Sequence, residues 1–191
     1  MKLSSLPLVI LAAGKSSRMG FPKGLMPYQG KKLLQYQIEH FFSLGGKKVV
    51  VVLGEHRDSY LKEIPALLNC ELLYNDKIDL GPFYSLRLAL EFLKDEKAVF
   101  LLPMDTPGAN PSVWKTLTRS HQGNEWVSIP TFNERGGHPI ILNQSFFQTI
   151  LDVNLESEEA RLDLQIKKLT QEKVKRIPVK DSRIKLNINS L

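Results

Sequence analysis

Leu6-Pro7-Leu8-Val9-Ile10-Leu11-Ala12-Ala13-Gly14-Lys15-Ser16-Ser17-Arg18-Met19-Gly20-Phe21-Pro22-Lys23 joins an apolar run to a short loop that carries two glycines and the cations Lys15, Arg18 and Lys23. The run 6–13 has the unbroken apolar character of a parallel strand buried on both faces, and Gly14 permits a turn after it. Backbone N–H groups and the Ser16 and Ser17 hydroxyls in such a loop can surround phosphate oxygens while the cations supply charge. Two better-known phosphate loops fail on spacing. A Walker loop needs Gly-x-x-x-x-Gly-Lys-Ser/Thr, but here Gly-Lys-Ser opens the loop, and the Gly-x-Gly-x-x-Gly fingerprint finds no glycine between Gly14 and Gly20. A secretory signal would use Lys2, residues 6–13 and a cut after Ala13; it would remove a strand whose pattern the rest of the chain continues.

Working outward, strand-like and helix-like segments alternate. Leu33, Leu34, Ile38, Phe41 and Phe42 recur at helical spacing, Gly45-Gly46 ends that helix, and Val49-Val50-Val51-Val52-Leu53 reads as a second buried strand. A short helix over 57–68 interrupted by Pro65, a strand over 71–74, a helix over 82–94 and a strand over 98–102 follow. A helix after Pro111, strands near 126–129 and 138–142, two further helices and a final strand near 184–187 complete the pattern. The expectation is an α/β fold with a mainly parallel sheet, as a single domain over 1–191, with ligands at the carboxyl ends of the strands.

Composition bounds the function. The chain has 191 residues, 42% hydrophobic content and a net charge of +6, ordinary for one globular domain and suited to a polyanionic substrate. Nucleic acid is not the expected partner: the tail cations Lys167, Lys168, Lys173, Lys175, Arg176, Lys180, Arg183 and Lys185 are interspersed with acids and lack aromatic neighbours for base stacking, so they read as a solvated face. The single cysteine, Cys70, allows no internal disulfide; Asn69-Cys70-Glu71-Leu72-Leu73 reads as a strand with a packed thiol. No apolar run reaches the roughly 20 residues that span a membrane, and the expected location is cytoplasmic.

Four further segments fit a cleft. Asp105 follows the apolar strand in Leu101-Leu102-Pro103-Met104-Asp105-Thr106-Pro107, where a carboxylate either holds Mg²⁺ against phosphate or caps a turn. Asp79-Leu80-Gly81-Pro82-Phe83-Tyr84-Ser85-Leu86 places glycine at a helix start whose N–H groups face substrate or simply need a cap. Arg135-Gly136-Gly137-His138-Pro139 delivers a histidine at a strand start, and Gly54 in Leu53-Gly54-Glu55-His56 stands near a nucleobase position.

Leu-Ala-Ala-Gly-x-Ser-x-Arg-Met-Gly-x-Pro-Lys resembles the signature of the nucleotidyltransferases that attach a nucleoside monophosphate to molybdopterin, a branch of the Rossmann-like NTP transferases. The resemblance implies a three-layer Rossmann-like nucleotidyltransferase fold. It implies Mg²⁺-dependent transfer from an NTP to molybdopterin with pyrophosphate as leaving group, and a molybdoenzyme or its chaperone as a further partner. It assigns catalysis to Arg18, Lys23 and Asp105, and nucleotide binding to Leu11, Ala12, Ala13, Gly14, Lys15, Ser16, Lys23, Gly54, Gly81 and Ser85. His138, in Gly-His-Pro, falls beside the acceptor. Asn187 and Asn189 of Leu186-Asn187-Ile188-Asn189 match a C-terminal metal-side segment whose Pro-Glu-Asp continuation this chain lacks, and a strand there would turn both to one side. The loop is similar to the cytidylyltransferase branch, where Ala13 replaces a second glycine, so CTP is expected over GTP; Asp-Thr-Pro and Asn-Ile-Asn look like the guanylyltransferase branch. A sugar-phosphate nucleotidylyltransferase shares the same loop and metal aspartate, and a non-catalytic nucleotide-binding regulator would tolerate loss of the metal residues.

Overall fold

The computed structural model describes residues 1–16 and 20–188. The strands are β1 (Leu8–Ala12), β2 (Pro27–Tyr28), β3 (Lys31–Lys32), β4 (Val49–Leu53), β5 (Glu71–Tyr74), β6 (Ala98–Pro103), β7 (Val127–Phe132), β8 (Arg135–Gly136), β9 (Ile140–Asn143) and β10 (Val174–Pro178). The helices are α1 (Leu33–Ser43), α2 (Arg57–Glu63), α3 (Gly81–Phe92), α4 (Pro111–Ser120), α5 (Gln144–Leu151) and α6 (Leu162–Lys167). The main sheet runs β10-β7-β9-β6-β1-β4-β5, with β8 paired to β7, while β2 and β3 form a separate hairpin. β9 is antiparallel to both β6 and β7; the other pairs along that order are parallel.

β1 is central because nothing in Leu8-Val9-Ile10-Leu11-Ala12 asks for water. Leu8 pairs with Val49 on one side and with Phe100 on the other. Alternation then splits the core into two layers. Ile10, Val51 and Phe100 pack with Leu34, Ile38 and Phe41 of α1 and with Trp114 of α4. Val9, Val50, Val52 and Leu101 pack with Phe83, Leu86 and Leu90 of α3, with Phe146 and Ile150 of α5, and with the half-buried Leu162 and Ile166 of α6. Helices thus cover both faces, giving the expected three-layer Rossmann-like arrangement. Each fully buried large aliphatic or aromatic side chain contributes about 1.5–3 kcal/mol to that sandwich. Among the described residues no helix is long and apolar enough to cross a membrane.

Three readings of local structure change. The last strand is β10, not residues 184–187: Val174–Pro178 pairs in parallel with β7, and Lys175, half-exposed, is neutralised by Glu125 at 3.2 Å. Lysines on an edge strand discourage further pairing, which is why this stretch looked like a solvated face. Ser182–Lys185 is instead a 3₁₀ turn, capped by Asp181, whose carboxylate accepts from the Arg183 N–H at 3.1 Å. Cys70 lies just before β5; its thiol donates to the Ala66 carbonyl at 3.5 Å, and burial pushes its pKa up to about 12.

Candidate active site

A cavity of about 1110 Å³ opens over the carboxyl ends of β1 and β6 and extends toward β7 and β9. Residues 11–16 with Lys23, Gly81, Ser85, Asp105, His138 and Asn187 all line it. Segments from β1 to the residues after the last 3₁₀ turn thus converge on one space. Arg18 and Asn189 lie outside the described residues, as does Ser17.

Lys23 and Asp105 form the centre. Lys23 Nζ is 4.0 Å from Asp105 Oδ2, and both side chains are largely shielded, at 17% and 29% exposure. Asp105 is held in a tight turn closed by the Thr106 N–H on the Pro103 carbonyl at 3.1 Å. Its own carbonyl accepts from the Ile188 N–H at 2.7 Å. That bond brings Asn187 to the cavity although residues 184–187 form no strand. A carboxylate and an amide oxygen on one wall, with space for phosphate oxygens and water, suit a hard dication such as Mg²⁺. Among the described residues no group of three or more His, Cys, Asp or Glu gathers.

The signature loop is held from inside. Ser16 has φ 50°, and its hydroxyl accepts from the Lys23 N–H at 3.1 Å, so it closes the loop on itself. Gly24 donates its N–H to the Tyr60 hydroxyl at 3.2 Å, and a Cβ there would stand 2.8 Å from the Tyr60 ring. Gly14 needs no left-handed turn, contrary to expectation. A Cβ at Gly14 would meet nothing within 4 Å among the described residues, so its neighbourhood is open to a ligand approaching the backbone. Lys15 is paired with Asp79 at 2.6 Å, and His56 donates from Nε2 to the Lys15 carbonyl at 2.9 Å. The hydrogen bond to Asp79 raises the Lys15 pKa and lowers that of Asp79.

Gly54 packs at the ends of β1 and β4 and is not among the residues that line the cavity. A Cβ there would lie 2.5 Å from the Ala13 carbonyl oxygen, so glycine is needed for the ends of β1 and β4 to approach. Ser85 is buried and accepts from the Asn75 amide at 2.9 Å, while Asn75 Oδ1 accepts from the Lys77 N–H at 2.8 Å. Asp79, the first residue of the segment 79–86, lines the cavity, as do Asn75 and Tyr60, which were not singled out in sequence; Asn75 carried the one available signal, a polar residue immediately past a strand.

The far side is different in character. Ile129, Ile140, Leu162 and Ile166 form an aliphatic wall with Arg161, whose guanidinium holds Asp163 through two bonds of 3.1 Å. α6 is the second of the two helices expected after residues 138–142, but nothing in its sequence marked it as part of this wall. His138 is fixed there by its N–H on the Ile184 carbonyl at 2.8 Å, and a Cβ on Gly137 would collide with that carbonyl at 2.2 Å. Burial lowers the His138 pKa, so the ring is neutral near pH 7, and its buried Nδ1 has no hydrogen-bond partner among the described residues.

Comparisons with known proteins identify the family of the chain. A family model described as the MobA-like NTP transferase domain matches residues 8–173. The chain is 32% identical over 146 residues, 73% of its length, to the bifunctional protein GlmU of Caldanaerobacter subterraneus, but spans only 31% of that protein. It is 29% identical over 147 residues to a probable molybdenum cofactor guanylyltransferase of Thermococcus sibiricus, covering 76% of this chain and 70% of that one. The structure of Rv0371c from Mycobacterium tuberculosis in complex with manganese superposes with a TM-score of 0.73 at 19% identity, over 92% of this chain and 88% of that one. With the family match spanning most of the chain and the fold and cavity in agreement, this protein belongs to the MobA-like NTP transferase domain family.

Proposed function

We propose that the chain transfers a nucleoside monophosphate from an NTP, with CTP preferred to GTP, to molybdopterin. The approach of Lys23 and Asp105 to 4.0 Å beside the signature loop carries this reading. An anionic oxygen of the acceptor phosphate attacks the α-phosphorus, the bond from that phosphorus to its bridging oxygen breaks, and pyrophosphate leaves with the electron pair. No side-chain nucleophile is required, since positioning and charge stabilisation carry most of such a transfer. Lys23 is aimed at the charge that builds on the α-phosphate. Lys15 receives the leaving pyrophosphate by exchanging Asp79 for phosphate oxygens, and Arg18 of the same loop adds a further charge to that end of the transfer. Asp105 and Asn187 would hold Mg²⁺, which supplies Lewis-acid polarisation of the phosphate when bound.

The acceptor side supports molybdopterin over a sugar phosphate. Its Ile129, Ile140, Leu162 and Ile166 wall offers apolar contact to a ring system, with His138, Arg161 and Asp163 at its edge. The base preference rests on Ala13, which lines the cavity and is 5% exposed, where a second glycine would leave more room for a purine. One methyl group changes discrimination by about 10- to 200-fold. Calorimetric titration with CTP, GTP, ATP and UTP in Mg²⁺ tests this: CTP should bind tightest, and tighter binding of GTP would reverse the assignment.

A further inference from the structure

Gln37 of α1 is almost wholly buried, and its side-chain amide points away from its own helix into the loop that carries Asp105. Its nitrogen donates to the carbonyls of Thr106 at 2.5 Å and Pro103 at 3.1 Å, with the Met104 carbonyl at 3.5 Å. An amide nitrogen has two hydrogens, and these two shorter bonds bracket Asp105 on both sides. One helical turn later His40 donates from Nε2 to the Ala109 carbonyl at 3.0 Å, so the same face of α1 grips the loop again.

The grip has a cost. Gln37 Oε1 is buried without a hydrogen-bond partner among the described residues, and an aliphatic side chain at this position would avoid that desolvation penalty. What the amide supplies in return is fixation of residues 103–106, the end of β6 and the turn that follows it. The Thr106-to-Pro103 turn bond and the Ile188 N–H on the Asp105 carbonyl hold the same short segment from its other sides.

We infer that Gln37 is a positioning residue for transfer: it sets the backbone of Pro103–Thr106 so that the Asp105 carboxylate faces Lys23 and the reacting phosphate. This rests on the reading of Asp105 as the metal-side carboxylate. A side chain that only filled the core or satisfied two carbonyls would affect folding; one that aims Asp105 also governs affinity for a divalent cation and the rate of the chemical step.

The test uses the full chain with Gln37→Met, of similar length without donors, and Gln37→Glu, of equal shape without the paired N–H groups. Mn²⁺ affinity is read from the electron paramagnetic resonance signal of the free ion, in the presence of a non-hydrolysable NTP analogue. Steady-state kcat and KM for NTP are measured in parallel. Misplacing a catalytic group by about 1 Å costs on the order of 10²-fold in rate, so a partial release should lower kcat at least about tenfold. KM for NTP should stay within about threefold, and the Mn²⁺ dissociation constant should rise about fivefold or more. Folded variants with unchanged Mn²⁺ affinity and kcat would overturn the inference, as would failure of both variants to fold, which would assign Gln37 to stability alone. Asp105→Asn is assayed alongside: if it keeps full activity, the functional reading itself fails, whereas an inactive Asp105→Asn with normal Gln37 variants refutes only the role of Gln37.

Discussion

Lys23 Nζ and Asp105 Oδ2 stand 4.0 Å apart, although one residue follows the first strand of the sheet and the other leaves β6. Opposite charges at that distance, partly shielded from water, hold each other in place while leaving room for a phosphate to be taken between them. Asp105→Asn keeps the side-chain volume and removes the charge. The expected result is a drop in turnover of about 10²-fold with the fold retained. Pyrophosphate release and a thermal melt check both halves; near-normal metal-dependent release would refute the role of Asp105.

Lys23→Ala separates chemistry from recognition. If its ammonium acts mainly on charge that develops as the α-phosphate is attacked, kcat should fall about 10²- to 10³-fold while the NTP dissociation constant changes less than about fivefold. Single-turnover kinetics beside equilibrium titration gives both numbers. Weakened binding at unchanged turnover would make Lys23 a recognition residue.

A buried cluster away from the cavity gives a pH dependence with a definite sign. Burial opposes ionisation of Glu125, but the Gln122 N–H at 3.2 Å from each carboxylate oxygen and the Lys175 ammonium at 3.2 Å outweigh it and hold the pKa at about 2. The folded pKa is below the ordinary value of 4.5, so the stabilisation is complete above about pH 4.5 and is lost as pH falls toward about 2. Glu125→Gln should therefore be less stable than the parent by about 1–3 kcal/mol at pH 7, and the two should converge through that acid window. Urea denaturation at pH 7, 4.5 and 3 measures the gap. A gap that stays constant or widens on acidification would contradict the assignment.

What was legible in the sequence was what lies along one strand and just past its end. The unbroken apolar runs of β1 and β6 located the signature loop and Asp105, because burial on both faces leaves a pattern that needs no knowledge of partners. The Gln37 contacts with Pro103 and Thr106, 66 and 69 residues away, leave no such local pattern, and neither does Tyr60 beneath Gly24. The α6 wall was not marked, because the charged Arg161, Asp163 and Lys167 interrupt its apolar positions and nothing local ties Leu162 and Ile166 to β7 and β9. At the C-terminal end alternation misled: β10 carries lysine on an edge, while Leu186-Asn187-Ile188 reaches the cavity through a single backbone bond to Asp105. Gly54, read in sequence as approaching the nucleobase, is packed against Ala13, a long-range contact with no local sequence signal.

The most direct measurement of the central claim is the mass of the product formed when purified protein is incubated with molybdopterin, Mg²⁺ and equal concentrations of CTP and GTP. The account predicts a molybdopterin–cytosine dinucleotide with one pyrophosphate released per transfer, formed at least about tenfold faster than the guanine product. Faster formation of the guanine dinucleotide would contradict the base assignment, and no dinucleotide from any NTP, with transfer to a sugar phosphate instead, would contradict the acceptor.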